Sequence, residues 1–169
     1  MKTLYIVRHA KSSWDYPELP DEQRPLLEKG KKRTKRIIDD LLRRETIVDL
    51  IISSPAVRAI ETAKIIGNAL RHSGEEIQKD SLLYFVDAER LFNLFFDLPS
   101  GVDNLMIVGH NPTLTNFANH FLTDKIDSIP TSAVVCIDFN TNKWEEIDRM
   151  NSELRFFITP KNLKKSRKK

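Results

Sequence analysis

Three apolar runs in this chain stop at cationic or imidazole side chains. "LYIV" (4–7) leads straight into Arg8-His9, "LIISS" (50–54) leads through Pro55 to Arg58, and "LMIVG" (105–109) leads into His110-Asn111. Two arginines and two histidines, distant in sequence, point to phosphoryl transfer. Arginine offers a planar fork of donors that matches phosphate oxygens and stays charged at any working pH. A neutral imidazole nitrogen aimed at phosphorus is a nucleophile. A second histidine, protonated, can donate to the equatorial oxygens of the group in transfer. This is the equipment for transfer through a phosphohistidine intermediate, where positioning and charge stabilisation do most of the catalysis.

Other routes to phosphate chemistry fail on residue types. There is no G-x-x-x-x-G-K-[ST] loop to cradle a nucleotide. A cysteine phosphatase needs an arginine six positions after its cysteine, and Asn142 stands six after Cys136, the single cysteine. Cys136 lies among apolar residues and reads as an inert core side chain. Two histidines could ligate zinc, but adjacent arginines repel a dication, so neither metal nor cofactor is expected.

The elements that must deliver these residues follow from periodicity. Residues 3–8, 48–54 and 104–110 are nearly continuous in apolarity, as in strands buried on both faces. Helices are expected from about Glu28 to Arg44, where Ile37, Ile38, Leu41 and Leu42 recur at helical spacing, and after Pro55, where Ala56, Ala59, Ile60, Ala63, Ile66 and Leu70 form a stripe. Further helices are expected over 87–98 and from Asn111-Pro112 to about Leu122. A short strand is expected near 77–83. The stretch 11–27, with Pro17, Pro20 and Pro25, is a loop. "AVVCIDF", "KWEEID" and "LRFFIT" read as strands of a closing hairpin or meander. Alternating strands and helices imply an α/β fold: a three-layer α/β/α sandwich on a mostly parallel sheet. The carboxyl ends of parallel strands lie along one edge, where such folds bind ligands, so Arg8, His9, Arg58 and His110 should converge there.

The 169 residues suit one domain, taken as 1–159. The last ten, "PKNLKKSRKK", hold six Lys or Arg and no acid, and account for the formal net charge of +3. Residues 160–169 are expected to be a disordered basic tail. No aromatic residue is interleaved with those charges, so no nucleic-acid partner is expected. With one cysteine, no signal-peptide pattern and no span of about 20 apolar residues, the expected location is cytoplasmic, away from membranes.

"LYIVRHA", "SSPAVRAIETA" and "VGHNP", in that order over residues 4–112, resemble the histidine phosphatase superfamily, which also includes the phosphoglycerate mutases. The continuation "RHAKSSW…RPLLEKGKKR" and the short chain resemble its SixA-type phosphohistidine phosphatase branch. The resemblance implies a phosphoglycerate mutase-like fold. It also implies that His9 is the nucleophile, that Arg8 and Arg58 hold the phosphoryl oxygens, and that His110 helps bind them and stabilises transfer. Ala10 stands where most of the superfamily has glycine, a substitution familiar in the SixA-like branch. The larger members carry a glutamate as general acid after the third strand. No motif here matches it, and Asp87 and Glu89 are the candidates by position, each otherwise readable as a helix cap or a surface acid. Lys11, Ser12, Ser13 and Arg24 lie close enough in sequence to touch phosphate or line the mouth. His72 and His120 read as structural or exposed. The implied activity is a metal-independent phosphatase acting on phosphohistidine in a protein. The alternatives are a phosphatase or mutase for a small phosphoester, and a non-catalytic phosphate-binding module.

Overall fold

A computed structural model describes residues 1–72 and 76–166. Among these residues, six strands form one sheet in the order β3-β2-β4-β1-β5-β6. They are β1 (Lys2–Arg8), β2 (Leu50–Ser53), β3 (Gln78–Lys79), β4 (Asn104–Gly109), β5 (Val134–Phe139) and β6 (Ser152–Ile158). The first four run parallel, while β5 is antiparallel to β1 and β6 to β5. The expected mostly parallel sheet is therefore present, with an antiparallel pair at one side.

Side chains alternate across the strands and so serve two cores. Leu4, Ile6, Leu105 and Ile107 face one layer, which contains Leu91 of α3 (Ala88–Leu91) and Leu114, Phe117 and Phe121 of α4 (Thr113–Phe121). Tyr5, Val7, Met106 and Val108 face the other. There they meet Ile37 and Leu41 of α1 (Glu28–Arg43), Ala59, Ala63 and Ile66 of α2 (Val57–Ala69), and Leu163 of α5 (Pro160–Ser166). Phe117 is wholly buried and stacks against Phe95 and, edge-on, Phe121. Truncating such a ring to alanine costs about 3–5 kcal/mol. No helix among the described residues is long and apolar enough to cross a membrane.

Three sequence expectations need correcting. "KWEEID" is not a strand: Trp144–Glu146 form a 3-10 turn. The indole of Trp144 is buried there, and its Nε1 donates to the Val102 carbonyl at 2.7 Å. The single helix expected over 87–98 is instead one α turn, α3, followed by a 3-10 turn over Phe92–Phe95. Residues 160–166 are not a disordered tail but the helix α5, packed on α1 through Leu163. One apolar side chain in a lysine-rich stretch suffices as anchor because it enters a core already built. The rest of the expected tail, 167–169, lies outside the described residues.

Candidate active site

Strand register brings the two histidines together. β1 and β4 pair in parallel with Arg8 opposite Gly109, and the His9 amide donates to the Gly109 carbonyl at 3.1 Å. His9 and His110 thus leave adjacent strands at the same level. Neighbouring strands lie about 4.8 Å apart, and the imidazole centroids are 5.0 Å apart. On the other side of β4, Ser53 pairs with Val108. Ser54 follows, and its hydroxyl lies 2.7 Å from His110 Nε2. The chain then turns through Pro55 into α2, which presents Arg58 in its first turn. A cation there opposes the helix dipole, a local cost consistent with a site built for an anion.

All four expected residues, Arg8, His9, Arg58 and His110, line one open cleft of about 340 Å³. Lys11, Ser12, Trp14, Asp21 and Arg24 line it too, as do Phe85, Asn111 and Thr131. Arg24 is 8% exposed: its Nε donates to the Ser13 carbonyl, its Nη2 to the Ser12 hydroxyl, and its guanidinium lies 3.3 Å over the Trp14 ring. Ser13 is buried: its carbonyl holds Arg24, and its hydroxyl accepts from the Asp15 amide at 3.0 Å. Arg8 donates from Nη1 to the Ile129 carbonyl at 3.0 Å. Arg8 Nε and His110 Nδ1, both buried, have no hydrogen-bond partner among the described residues. An oxyanion would bring acceptors to Arg8 Nε, and to His110 Nδ1 in the tautomer whose Nε2 accepts from the Ser54 hydroxyl.

His9 is held in one tautomer. Its Nδ1 lies 2.7 Å from the Ala10 carbonyl oxygen. A carbonyl only accepts, so Nδ1 carries the hydrogen and Nε2 keeps its lone pair. Burial pushes the His9 pKa down to about 4, reinforced by the cations Arg58, Arg8 and Arg24 and opposed by the Ala10 hydrogen bond. Burial, then the neighbouring His9 and Arg58, push His110 down to about 3. Both rings are therefore neutral at neutral pH. The protonated state expected for His110 is not its resting state. A neutral imidazole still has one N–H to give, and a bound anion would raise its pKa.

The loop between β1 and α1 supplies a residue the motifs did not reveal. Asp21 accepts from Arg58 Nη2 at 2.9 Å, from Arg24 Nη1 at 3.0 Å and from the Tyr84 hydroxyl at 2.8 Å; its backbone carbonyl accepts from Arg58 Nη1 at 2.7 Å. Partial burial raises its pKa, but these hydrogen bonds outweigh that and hold it at about 2. Asp21 fixes the guanidinium pair, and it is ionised at neutral pH. Its only sequence signal is a carboxylate three residues before Arg24, a spacing common to surface ion pairs. Tyr84, Phe85 and Ser54 were also missed: the Phe85 ring stacks on His110 with centroids 5.2 Å apart, and Tyr84 meets it edge-on.

The two acids expected by position fall elsewhere. Asp87 is exposed immediately before α3, with no capping hydrogen bond, and Glu89 is exposed on the first turn of α3. Neither lines the cleft, because the single α turn holds its acids on the solvent side; among the described lining residues Asp21 is the one carboxylate. Packing calls for glycine at 109, since a Cβ there would come within 3.0 Å of the Leu83 carbonyl oxygen. Among the described residues, no group of three or more His, Cys, Asp or Glu side chains is placed to hold a metal ion.

The model of the histidine phosphatase superfamily (branch 1) matches residues 4–87. A protein of Agrobacterium tumefaciens assigned as the phosphohistidine phosphatase SixA is 26% identical, and superposes with a TM-score of 0.78 over 94% of this chain and 98% of that one. The protein histidine phosphatase SixA complexed with tungstate superposes with a TM-score of 0.76 at 20% identity, over 95% and 99% of the two chains. An uncharacterized chloroplastic protein of Arabidopsis thaliana is 27% identical over 154 residues, 86% of this chain and 70% of its own. The ordered motifs, the matching model and the shared sheet agree: this chain belongs to the histidine phosphatase superfamily, and its likeness within it is to the SixA-type phosphohistidine phosphatases.

Proposed function

We propose that this phosphatase works by double displacement through His9 and that its substrate is phosphohistidine carried on a protein. The observation that carries the reading is the bond from His9 Nδ1 to the Ala10 carbonyl. It leaves Nε2 as a neutral lone pair, at a pKa that keeps it so well below neutrality. In the first step His9 Nε2 bonds to phosphorus as the bond from phosphorus to the leaving nitrogen breaks. In the second, water attacks phosphorus, the bond to Nε2 breaks, and inorganic phosphate departs with His9 neutral again. Arg8 and Arg58 bear the charge of the equatorial oxygens, and His110 donates from one ring nitrogen.

A phosphoramidate substrate suits the carboxylate in this cleft. Asp21, held at about 2, has no proton to give at neutral pH. An alkoxide leaving group needs a proton donor, whereas a phosphoimidazole that has taken a proton from water leaves as neutral imidazole. An open cleft with Trp14 and Phe85 exposed at its rim admits a protein surface, and the tungstate bound by a SixA structure is a tetrahedral oxyanion like phosphate. Arg8 and Arg58 take the place of a divalent ion in neutralising charge, so we propose turnover without metal.

The test compares kcat/KM for a histidine-phosphorylated peptide with a panel of small phosphate esters, with and without EDTA. The proposal expects preference for the phosphohistidine and indifference to the chelator. Preference for an ester, or loss of turnover in EDTA, would overturn it.

A further inference from the structure

Beside the active-site cleft lies a second groove, of about 570 Å³, between α1 and the start of α5. Lys29, Lys32, Arg33 and Arg36 line it from α1, and Lys161 and Lys164 from α5. The α1 residues recur at i, i+3, i+4 and i+7, which places them on one helix face. At 1.5 Å per residue the stripe is about 10 Å long. Among the described residues, no carboxylate lines the groove and none of the six cations forms an ion pair. The nearby acids of α1 are engaged elsewhere, Glu28 with Lys31 and Asp40 with Arg43 and Arg44.

This arrangement carries a modest cost for the free protein. Like charges at i, i+3 and i+4 repel, and Lys29 stands in the first helical turn, where a cation opposes the dipole. Lys29, Lys32, Lys161 and Lys164 are exposed and Arg33 and Arg36 half-buried, so water screens part of that repulsion while all six charges stay open to an anionic surface.

The groove and the nucleophile are joined by a short, well-bonded segment. Thr131 lines both the groove and the catalytic cleft. Next to it, the Ser132 amide donates to the carbonyls of Arg8 and His9, and the Ser132 hydroxyl lies 2.8 Å from Thr34 Oγ1 on α1. A molecule lying in the groove can therefore reach His9 over Thr131.

Resting on the phosphohistidine reading above, we propose that this groove docks an acidic surface of the phosphoprotein substrate, carboxylates flanking its phosphohistidine. Four of the six cations are lysines, compact and strongly hydrated charges suited to steering a carboxylate-rich surface rather than to forking around one phosphate. Among the described residues, no aromatic side chain lines the groove to stack a nucleic-acid base.

The test uses two peptides of equal length, phosphorylated on a single histidine with phosphoramidate. One carries glutamates on both sides of it and the other glutamines. At low ionic strength kcat/KM is expected to favour the glutamate peptide by about tenfold, with the difference fading in 0.5 M salt. The double variant Lys32→Glu/Lys164→Glu should abolish that preference and leave p-nitrophenyl phosphate turnover unchanged, which also shows that it folds. Lys64→Glu/Lys143→Glu, with the same charge change elsewhere, should keep the preference. Equal rates for the two peptides, a preference that survives in the groove variant, or its equal loss in the control would overturn the proposal.

Binding of the unphosphorylated, fluorescein-labelled glutamate peptide by anisotropy separates docking from chemistry. If the enzyme turns over p-nitrophenyl phosphate but neither phosphopeptide, the phosphohistidine reading fails. The groove then stands or falls on whether Lys32→Glu/Lys164→Glu loses peptide binding. An RNA oligomer that binds the groove more tightly than the peptide would overturn the choice of partner.

Discussion

Replacing Gly30 by alanine sets two magnitudes of opposite sign against each other. Gly30 is the third residue of α1, and glycine in a helix is about 1 kcal/mol less favourable than alanine. Helix propensity alone thus predicts a more stable protein. The tertiary structure predicts the reverse. A Cβ at Gly30 would come within 2.9 Å of the Lys11 backbone nitrogen, and closer still to the Lys11 carbonyl oxygen. That backbone cannot move aside freely. The Leu27 amide donates to the Lys11 carbonyl at 2.9 Å, and Ser12 forms a β-bridge with Leu26. Overpacking costs about 1–3 kcal/mol, and with two fixed backbone atoms inside 3.0 Å this site falls at the upper end, about 2–3 kcal/mol. We expect Gly30→Ala to lose about 1–2 kcal/mol net, read as a lower urea midpoint at unchanged m-value. Lys11 is two residues from His9, and a misplacement near 1 Å can cost up to about 100-fold in rate, so kcat on p-nitrophenyl phosphate should fall as well. A variant about 1 kcal/mol more stable with unaltered kcat would refute the claim that this contact sets the nucleophile's position.

Stability should depend on pH through the two site histidines. Both folded-state pKa values lie below the ordinary 6.5, at about 4 and about 3, so below pH 6.5 the unfolded chain binds protons that the folded one refuses. Linkage gives a loss of roughly 3–4 kcal/mol between pH 7.5 and pH 5. Urea melts at the two pH values should show it, and His9→Gln/His110→Gln should lose much less; an equal loss in the variant contradicts the assignment. Asp21→Asn should lower kcat/KM by about tenfold by loosening Arg58 and Arg24, while leaving the alkaline limb of the pH–rate profile in place, because Asp21 is ionised throughout. Disappearance of that limb would make Asp21 the proton donor. Burial pushes the Cys136 thiol up to about 12, so the native protein should resist a disulfide reagent at pH 8. Cys136→Ala should cost about 1–2 kcal/mol in stability without changing kcat; a fall in kcat would give the thiol a role this account lacks.

The sequence made the strand-end residues readable because parallel strands leave no choice about where their carboxyl ends lie. Arg8, His9 and His110 follow continuous apolar runs, and Arg58 follows a proline at a helix start. Their meeting needed only the sheet order. Asp21, Arg24 and Tyr84 were harder, since they come from irregular segments whose path no periodicity encodes. Arg24 and Asp21 also look like an ordinary i, i+3 surface pair until Arg58 arrives from α2. "KWEEID" misled because one large apolar residue between charges imitates strand alternation, while Trp144 is buried by a turn. The chain end misled in the other direction. Its charge outvoted Leu163, whose value depends on the core it shares with Ile37 and Leu41 of α1, far away in sequence.

The central claim is that His9 attacks through Nε2 because Nδ1 is committed to the Ala10 carbonyl. It is tested most directly by trapping the phosphoenzyme from a small phosphodonor, then locating the phosphoryl group by mass spectrometry and 31P NMR. The account predicts an acid-labile phosphoryl group on His9 at Nε2, absent in His9→Ala. Label on Nδ1, label on another residue, or label persisting in His9→Ala would contradict it.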